Sequence, residues 1–464
     1  MRVGLIAMSG VRACNDELTR IGLTLPGFVE RSKVIASLPS LSLLTLAALT
    51  PPPIEVDYWE IKELRNQQSF PEDYDLIAIT SFSAQIKDAY LVADLYRAKG
   101  VAVVLGGLHV SVLPEEAKVH ATSVVVGEGE VLWPRVLKDF ERGRLQSSYV
   151  QEAGSWFDLG DAPVPRYELL DVEQYNRLTV QTSRGCPHRC DFCASSILLT
   201  PQYKVKPVEC VIAEIRRIKA IWKYPFIEFA DDNSFVLRRH YKDLLRALAL
   251  EDVKWFTEAD ISIAEDEELL ELMRVSGCRQ VLIGLESPTA RGLDGVELRR
   301  NWKLGKLPDY ETAIRTIQSH GITVNGCFIL GLDGDTEEVF DAIYRFVQRS
   351  GLFEVQLTVL TPFPGTPLYE RLKREGRLLE NGAWQKCTLF DVNFVPKRMS
   401  PERLQEGLVE LSRRVYQREF IQERRERFFQ ELRRRRLSCD FREVEGGSHE
   451  DELDQALICD RGAL

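Results

Sequence analysis

The sequence predicts an α/β protein in which two parallel sheets follow one another and a mainly helical extension ends the chain. Three observations predict this class. Short apolar stretches alternate with helical patterns over residues 1–150, the alternation returns over 176–370, and helical spacing dominates 371–464. Such alternation is typical of parallel sheets with helices on their faces. Residues 151–175 are rich in Gly, Pro and Asp and are predicted to be a linker.

The first unit is predicted to be a doubly wound, Rossmann-like sheet. Its apolar stretches lie at residues 1–8, 54–58, 76–81, 101–105 and 124–126, and residues 83–99 have helical spacing. Glycines follow two of these stretches, at Gly106 and Gly107 and again at Gly127 and Gly129. Ligands of open α/β sheets bind beyond the carboxyl ends of the strands, where glycine allows close approach of the backbone. We therefore expect a ligand cleft in this unit.

The second unit is predicted to be a partial barrel of six β/α repeats. Its candidate strands are residues 178–183, 226–231, 254–259, 280–286, 323–330 and 354–359. In such barrels the chemistry lies at the carboxyl ends of the strands. The polar groups at those ends are therefore the candidate functional residues.

The C-terminal extension continues the chain after residue 370. Residues 404, 408, 411 and 415 are apolar at helical spacing, the arginines at 433–436 are interpreted as a solvated helix face, and an acidic tail begins at Asp440. Trp384, Cys387 and Asn393 are candidates for the substrate pocket, although a tryptophan here commonly serves packing.

Composition limits the partners and the compartment. The 464 residues carry a net charge of -10, which argues against nucleic acid and favours small-molecule, lipid or peptide substrates. The N-terminus lacks the features of a signal peptide, and the longest apolar run, residues 41–49, is too short for a transmembrane segment. Of ten cysteines, three cluster within eight positions and seven are scattered, so we expect a reducing, cytoplasmic location.

The clustered cysteines have the spacing C-x3-C-x2-C directly after a predicted strand, at Cys186, Cys190 and Cys193. Three thiolates on one loop can ligate three irons of a cubane and leave the fourth iron open. Zinc is the first alternative, but it usually takes four protein ligands, and His188 lies inside the loop where it cannot easily complete a tetrahedron. The second alternative is that these are core cysteines without a metal, and the polar residues within the loop argue against it.

With the aromatic Phe192 before its last cysteine, the motif resembles the signature of radical S-adenosylmethionine (SAM) enzymes. The resemblance implies a [4Fe–4S] cluster on Cys186, Cys190 and Cys193, whose open iron chelates the amino and carboxylate groups of SAM. It also implies reductive cleavage of SAM to a 5′-deoxyadenosyl radical that removes a substrate hydrogen. A flavodoxin- or ferredoxin-type protein would supply the electron.

Other strand ends resemble the cobalamin-binding branch of the same family. In the Asp-Asp-Asn sequence at 231–233, Asp231 is the candidate for the SAM ammonium, and the alternative is that Asp231 and Asp232 cap the next helix. The third and fourth strand ends offer Glu258 and the pair Glu286 and Ser287 for the SAM ribose or ammonium. Gly326 opens a stretch, 326–331, that resembles the motif admitting the adenine, and residues 361–367 resemble the sixth strand end.

The first unit resembles the cobalamin-binding module that precedes many radical SAM barrels, on the stretches 37–43, 79–83, 106–109 and 127–130. The implied corrin contacts are Ser81, Ser83, Gly106, Gly107, His109, Gly127, Glu128 and Gly129. One departure is that no histidine occurs in an Asp-x-His-x-x-Gly context, so cobalt is expected to lack a histidine on its lower face. The alternatives are a domain that has lost the cofactor and a His109 that is structural.

The resemblance therefore predicts a cobalamin-dependent radical SAM methyltransferase, similar to class B members, that methylates an unactivated carbon of a small molecule, lipid or natural product. One alternative keeps the cofactors but ends in cyclisation, ring contraction or oxidation of the substrate. A second is a cobalamin-binding protein without turnover, which the intact three-cysteine motif opposes.

Overall fold

A computed structural model of the chain describes residues 1–10, 13–21, 38–198, 200 and 202–443. The predicted tail beyond residue 443, and Ser37 of the cobalamin-like motif, lie outside these residues. The described chain forms two six-stranded parallel sheets, a two-stranded hairpin and a helical C-terminal extension.

The first sheet consists of β1 (Arg2–Met8), β2 (Glu55–Ile61), β3 (Leu76–Ser81), β4 (Ala102–Gly106), β5 (Ser123–Val126) and β6 (Ser148–Val150). Its order is β2-β1-β3-β4-β5-β6, and every neighbouring pair is parallel. The order reverses between β1 and β3, which confirms the doubly wound class and places a crevice at the carboxyl ends of these strands. All five predicted strands are present, and only the three-residue β6 was not predicted.

The helices of this unit are α1 (Asp16–Ile21), α2 (Leu41–Ala48), α3 (Ile86–Ala98), α4 (Leu108–Val112), α5 (Pro114–Lys118) and α6 (Gly129–Glu141). Two apolar cores cover the two faces of the sheet: Val3 and Leu5 of β1 pack into one core, whereas Ile6 and Met8 pack into the other. Because both faces are covered, β1 is apolar almost throughout.

The second sheet consists of β7 (Leu178–Val180), β10 (Phe226–Ser234), β11 (Lys254–Ala259), β12 (Cys278–Glu286), β13 (Thr323–Leu330) and β14 (Glu354–Val359). The order is β14-β13-β12-β11-β10-β7 without a reversal, so all crossovers step in one direction. This is the strand order of a barrel, with β7 and β14 as the edges. Its curvature into the predicted partial barrel stays a prediction. A hairpin of β8 (Ser183–Arg184) and β9 (Lys204–Val205) follows β7.

The helices that cover this sheet are α7 (Ala194–Leu198), α8 (Val208–Ile221), α9 (Arg238–Leu248), α10 (Glu267–Val275), α11 (Ala290–Leu293), α12 (Trp302–Lys306), α13 (Tyr310–Ser319) and α14 (Glu338–Ser350). Alternate strand residues face opposite sides. On β10, Ile227 and Phe229 enter the apolar core, and Glu228 lies on the other face. The remaining helices are α15 (Pro367–Arg374), α16 (Pro401–Val415) and α17 (Arg418–Glu443).

The segment between the two sheets packs against the rest of the protein. In the predicted linker, Tyr167 is buried and its hydroxyl donates to the Thr179 carbonyl at 2.8 Å. The C-terminal extension also contacts the first unit, because the Trp384 indole donates to Glu116 Oε2 at 3.0 Å. None of the helices in the described ranges is both long enough and apolar enough to cross a membrane.

Candidate active site

The three clustered cysteines lie on the loop that follows β8, and a second segment covers that loop. Cys190 forms an isolated antiparallel bridge with Glu297. On either side of it, the Asp191 amide donates to the Val296 carbonyl at 2.9 Å, and the Leu298 amide donates to the Arg189 carbonyl at 3.1 Å. The loop backbone is therefore fixed by residues more than a hundred positions further along the chain.

The cysteine thiols are held among polar groups. The Asn233 amide donates to Cys186 Sγ at 3.7 Å, and the Ser196 backbone amide donates to Cys193 Sγ at 3.4 Å. Burial raises the pKa of Cys186 to about 11 and also raises the pKa of Cys190 and Cys193. Ligation by a metal would release these protons, since the thiolate is the ligand.

The donor set fits a cluster better than a single ion. In the part of the chain that the structure describes, no three His, Cys, Asp or Glu side chains converge as one metal ion requires. A structural zinc brings four donors to one point, whereas a cubane gives each thiolate its own iron and needs no such convergence. Three thiols on one loop are the donors expected for a [4Fe–4S] cluster with an open iron.

Asp231, predicted to accept the SAM ammonium, is already saturated by the protein. Its carboxylate accepts hydrogen bonds from the Thr182 and Ser183 amides at 2.8 Å, from the Thr182 and Ser234 hydroxyls, and from the Tyr241 hydroxyl at 3.1 Å. Five donors leave no free lone pair for a ligand. The contacts therefore argue against Asp231 as a SAM contact and give it a structural role between β7 and β10.

The next two residues hold the cysteine loop itself. Asp232 accepts the Gly185 amide at 2.7 Å and the Ser195 hydroxyl, so it contacts the loop on both sides of the cysteines. Asn233 contacts Cys186 and also donates to Asp260 Oδ2 at 3.0 Å. The sequence analysis singled out this Asp-Asp-Asn stretch as a candidate contact for SAM. In the structure Asp231 binds the neighbouring backbone and hydroxyls, whereas Asp232 and Asn233 contact the cysteine loop.

Glu286, at the carboxyl end of β12, forms a buried ion pair with Lys303. The Lys303 ammonium lies 2.7 Å from Glu286 Oε1 and also donates to the Gly284 carbonyl at 2.7 Å. Burial by itself would lower the pKa of Lys303, but attraction from Glu286 and Cys190 outweighs it and raises the pKa above the ordinary value. Sequence reasoning missed Lys303, since a lysine between Trp302 and Leu304 carries no motif.

Glu258 ends β11 near the other carboxylates. Its side chain is accessible to water, yet protein atoms surround the carboxyl group on most sides. This burial raises the pKa of Glu258 to about 8, with further contributions from the negative charges of Glu228, Asp232, Asp231 and Glu286. Glu258 is therefore a titratable group near neutral pH among the strand-end carboxylates.

Three other predicted contacts are explained by packing. Ser287 is fully buried, and its hydroxyl accepts the Thr289 amide at 3.3 Å. A Cβ on Gly326 would lie 2.7 Å from Leu352 Cδ1 and 3.0 Å from Leu285 Cδ1, so apolar side chains of the main core occupy the space beside this glycine. Phe192 is half-buried and packs against the main core. These contacts argue against Gly326 as an adenine contact.

The carboxyl edge of the first sheet presents small residues and one exposed aromatic ring. Ser81 ends β3, and the next residue, Phe82, is 65% exposed. Gly107 has φ +103° and stands so close to Thr80 that a Cβ would lie 2.8 Å from its hydroxyl. Gly127 has φ +112°, and a Cβ there would lie 2.5 Å from Gln151 Oε1. Of the predicted residues, Gly106 is the last residue of β4 and Gly107 follows it, and Gly127 and Gly129 follow the end of β5 at this edge.

His109 and Glu128, predicted as corrin contacts, are turned into the protein. His109 is buried between Ser83 Oγ, at 2.9 Å from Nδ1, and Glu116 Oε1, at 3.3 Å from Nε2. Burial lowers its pKa. Glu128 accepts the Arg184 guanidinium at 2.8 Å, which ties the first sheet to the residue that precedes the cysteine loop. These contacts support a structural role for His109.

The three candidates from the C-terminal extension are buried, and Trp384 and Cys387 pack into an apolar core of the first unit. The Trp384 ring meets the His109 ring edge-on, with centroids 5.4 Å apart. The Asn393 amide donates to Cys387 Sγ at 3.8 Å. Within the described chain, Asn393 Oδ1 is buried without a hydrogen-bond partner. Trp384 thus serves packing.

Comparisons with known proteins agree with this geometry. The profile of the radical SAM superfamily matches residues 180–347, and a domain of unknown function (DUF4070) matches 366–452. Bacteriochlorophyllide d C-12(1)-methyltransferase of Chlorobaculum tepidum is 30% identical over 394 residues, covering 83% of this chain and 84% of that protein. The hopanoid C-2 methylase of Rhodopseudomonas palustris is 29% identical over 367 residues, covering 75% and 67%.

Among solved structures, the radical SAM methyltransferase TsrM from Kitasatospora setae, with cobalamin and a [4Fe–4S] cluster bound, has the same fold. The TM-score is 0.63 at 16% identity, over 89% of this chain and 88% of that one. The cysteine loop lies within the matched radical SAM segment, and the match to the C. tepidum enzyme extends over most of the chain. The chain is therefore an enzyme of the radical SAM superfamily and belongs to the methyltransferase family that includes bacteriochlorophyllide d C-12(1)-methyltransferase.

Proposed function

We propose that this enzyme transfers a methyl group from SAM to an unactivated carbon of an organic substrate and uses a [4Fe–4S] cluster and cobalamin to do so. The observation that carries the proposal is the cysteine loop, whose three thiols lie beside the carboxyl ends of β10 and β12. The methyltransferase names of the relatives supply the reaction class.

Cys186, Cys190 and Cys193 would hold the cluster. When bound, the cluster supplies the electron that cleaves SAM reductively to a 5′-deoxyadenosyl radical. SAM presents an ammonium and a carboxylate, and the site offers charges of both signs. Glu286 can accept from the ammonium, and Lys303 can donate to the carboxylate.

The residues around this site have distinct tasks in the proposal. Lys303 holds Glu286 in place through a charge-assisted hydrogen bond of 2.7 Å. Asp232 and Asn233 hold the loop that carries the thiols. Glu258, with its pKa near 8, keeps its proton at neutral pH and can donate a hydrogen bond there.

Cobalamin would lie on the carboxyl edge of the first sheet, at the reversal of strand order. Ser81, the exposed ring of Phe82 and the close-packed Gly107 and Gly127 are the residues that favour a flat ligand there. When bound, cobalamin supplies the methyl group to the substrate carbon. His109 is held by Ser83 and Glu116, so it would not ligate cobalt.

The substrate class follows from the relatives, which are named for methylating bacteriochlorophyllide and hopanoid carbons. We therefore propose a polycyclic, largely apolar substrate. The alternative outcome, a cyclisation, ring contraction or oxidation, would use the same residues, and the methyl group of the cleaved SAM would remain on the methionine that is released.

The test uses the full chain, reconstituted anaerobically with iron, sulfide and hydroxocobalamin, SAM with a deuterated methyl group, and titanium(III) citrate as the reductant. Bacteriochlorophyllide d and an unmethylated hopanoid are the substrates offered. Deuterium in the product is the expected result. 5′-Deoxyadenosine without transferred label would favour the alternative outcome, and a loaded protein that forms neither would favour a cobalamin-binding protein without turnover.

The cluster assignment is tested separately by iron content. Cys190→Ala should lose most of the bound iron, because Cys190 would ligate one of the three protein-bound irons. Cys278→Ala is the matched control, since Cys278 is also a buried cysteine but lies at the start of β12. Equal iron in wild type and Cys190→Ala would contradict the assignment.

A further inference from the structure

A groove of about 430 Å³ lies on the outside of the cysteine loop. Its lining combines the loop residues His188 and Arg189 with Glu297, Arg299, Arg300 and Trp302 from the segment that covers the loop. The groove is therefore lined in part by Pro187, His188 and Arg189, the residues between Cys186 and Cys190. It is not used in the chemistry proposed above.

The groove is positively charged. Arg299 and Arg300 are exposed, and neither they nor Arg189 forms an ion pair with any carboxylate in the described parts of the chain. The one acid in the lining, Glu297, is turned inward to His188 and to the Lys303 amide, at 3.5 and 2.9 Å. Three unpaired guanidinium groups thus meet in a chain whose net charge is -10.

The covering layer between the groove and the cysteines is thin. The His188 ring packs on the Trp302 ring with centroids 4.2 Å apart, and His188 lies two residues from both Cys186 and Cys190. The segment 296–302 is the layer that crosses the loop here, through its pairing with Arg189 and Asp191. An electron that arrives at this groove would have a short route to the cluster.

We propose that this groove docks an acidic one-electron carrier protein that reduces the cluster. The inference rests on the cluster assignment of the proposed function and adds where its electron enters. The carrier loses one electron, the cluster gains it, and no bond forms or breaks. Charge complementarity selects the partner, because a cluster of unpaired arginines attracts an acidic surface and steers its approach.

The experiment measures reduction of the reconstituted full-length enzyme in a stopped-flow instrument under anaerobic conditions, without SAM. The reductants are fully reduced flavodoxin, an acidic carrier, and reduced methyl viologen, a cation that needs no basic docking site. The variant is Arg299→Glu with Arg300→Glu. The control is Arg142→Glu with Arg144→Glu, a pair of exposed arginines after α6 that undergoes the same change in charge.

At low ionic strength we expect flavodoxin to reduce the Arg299/Arg300 variant at least about tenfold more slowly than it reduces wild type. Viologen should reduce the variant and wild type at the same rate. The wild-type rate with flavodoxin should fall as salt rises. An equal rate in the Arg299/Arg300 variant, or equal slowing in the Arg142/Arg144 control, would overturn the docking site. Failure of the cluster itself would appear separately, as missing iron and no reduction by viologen.

Discussion

Lys303 and Glu286 form a buried ion pair, and the attraction between them compensates for the hydration that each charge loses on folding. Breaking such a pair by removing one member costs about 3–5 kcal/mol, since the remaining charge stays buried without compensation. Lys303→Met should therefore destabilise the apo protein by an amount in this range, measured by urea unfolding.

Lys306→Met is the control for this prediction. Lys306 pairs with Glu265 on the surface, and such exposed pairs contribute at most about 1 kcal/mol. Adding Glu286→Gln to Lys303→Met should recover part of the lost free energy of unfolding. Equal destabilisation by the two single lysine variants would show that Lys303 and Glu286 are not coupled.

Glu258 should make the stability of the apo protein depend on pH. Burial raises its pKa from 4.5 to about 8, so between these values the folded protein keeps a proton that the unfolded chain releases. The folded state then binds more protons, and the free energy of unfolding falls as pH rises through this window. Glu258→Gln removes the effect, so it should gain stability over wild type between pH 5 and pH 8.

Urea unfolding of both proteins at pH 5 and pH 8 measures this difference. Glu141→Gln, at the exposed end of α6, is a matched control that should follow the wild-type pH dependence. A constant difference between Glu258→Gln and wild type at both pH values would contradict the prediction.

Helix α15 clamps the cysteine loop from the C-terminal side. Arg371 forms a 2.8 Å ion pair with Asp191, which lies between Cys190 and Cys193, and a second pair with Asp333. The Leu368 amide donates to the Asp191 carbonyl at 3.0 Å. An element outside the matched radical SAM segment therefore fixes the loop.

Removing this clamp should loosen the loop and expose the cluster. We expect Arg371→Met to lose iron to a chelator several-fold faster than wild type, followed by absorbance. Arg374→Met is the control, because Arg374 is exposed on the same helix. If both variants released iron at the wild-type rate, α15 would not act as a clamp.

At the scale of the whole molecule, a bound cofactor should stabilise the folded chain, because binding to the folded state alone adds RT ln(1 + [L]/Kd). Hydroxocobalamin should therefore raise the melting temperature of the apo protein. Phe82→Asp should abolish the shift while leaving the unliganded melting temperature nearly unchanged, since Phe82 is an exposed side chain.

Leu91→Asp is the control for this measurement, since Leu91 is an exposed apolar residue of α3, away from the sheet edge. It should keep the cobalamin-dependent shift. A shift that persists in Phe82→Asp would place the corrin elsewhere.

Much of the architecture could be predicted from local sequence. Short apolar stretches between helical patterns located eleven strands of the two sheets, because burial on both faces makes each parallel strand a continuous apolar run. The three-residue β6 was too short to leave such a pattern. The spacing of the cysteines likewise predicted a loop after the first strand of the second unit, since ligands of one cluster must come from a short segment.

The direction and partners of single side chains could not be predicted in this way. Asp231 is saturated by Thr182 and its neighbours, and His109 is closed in by Ser83 and Glu116. The Asp231–Thr182 contact joins residues 49 positions apart, and the His109–Ser83 contact joins residues 26 positions apart. Motif spacing placed these residues at strand ends, but only the packing of neighbouring elements decided whether they face a ligand or the interior.

The sequence by itself thus determined the two parallel sheets, the cysteine loop and the family, because periodicity and spacing are local properties of the chain. Only the tertiary structure decided that Lys303 pairs with Glu286, that α15 clamps the loop and that arginines meet outside it. The physical reason is that a buried charge or a charged groove depends on which distant segments the fold brings together.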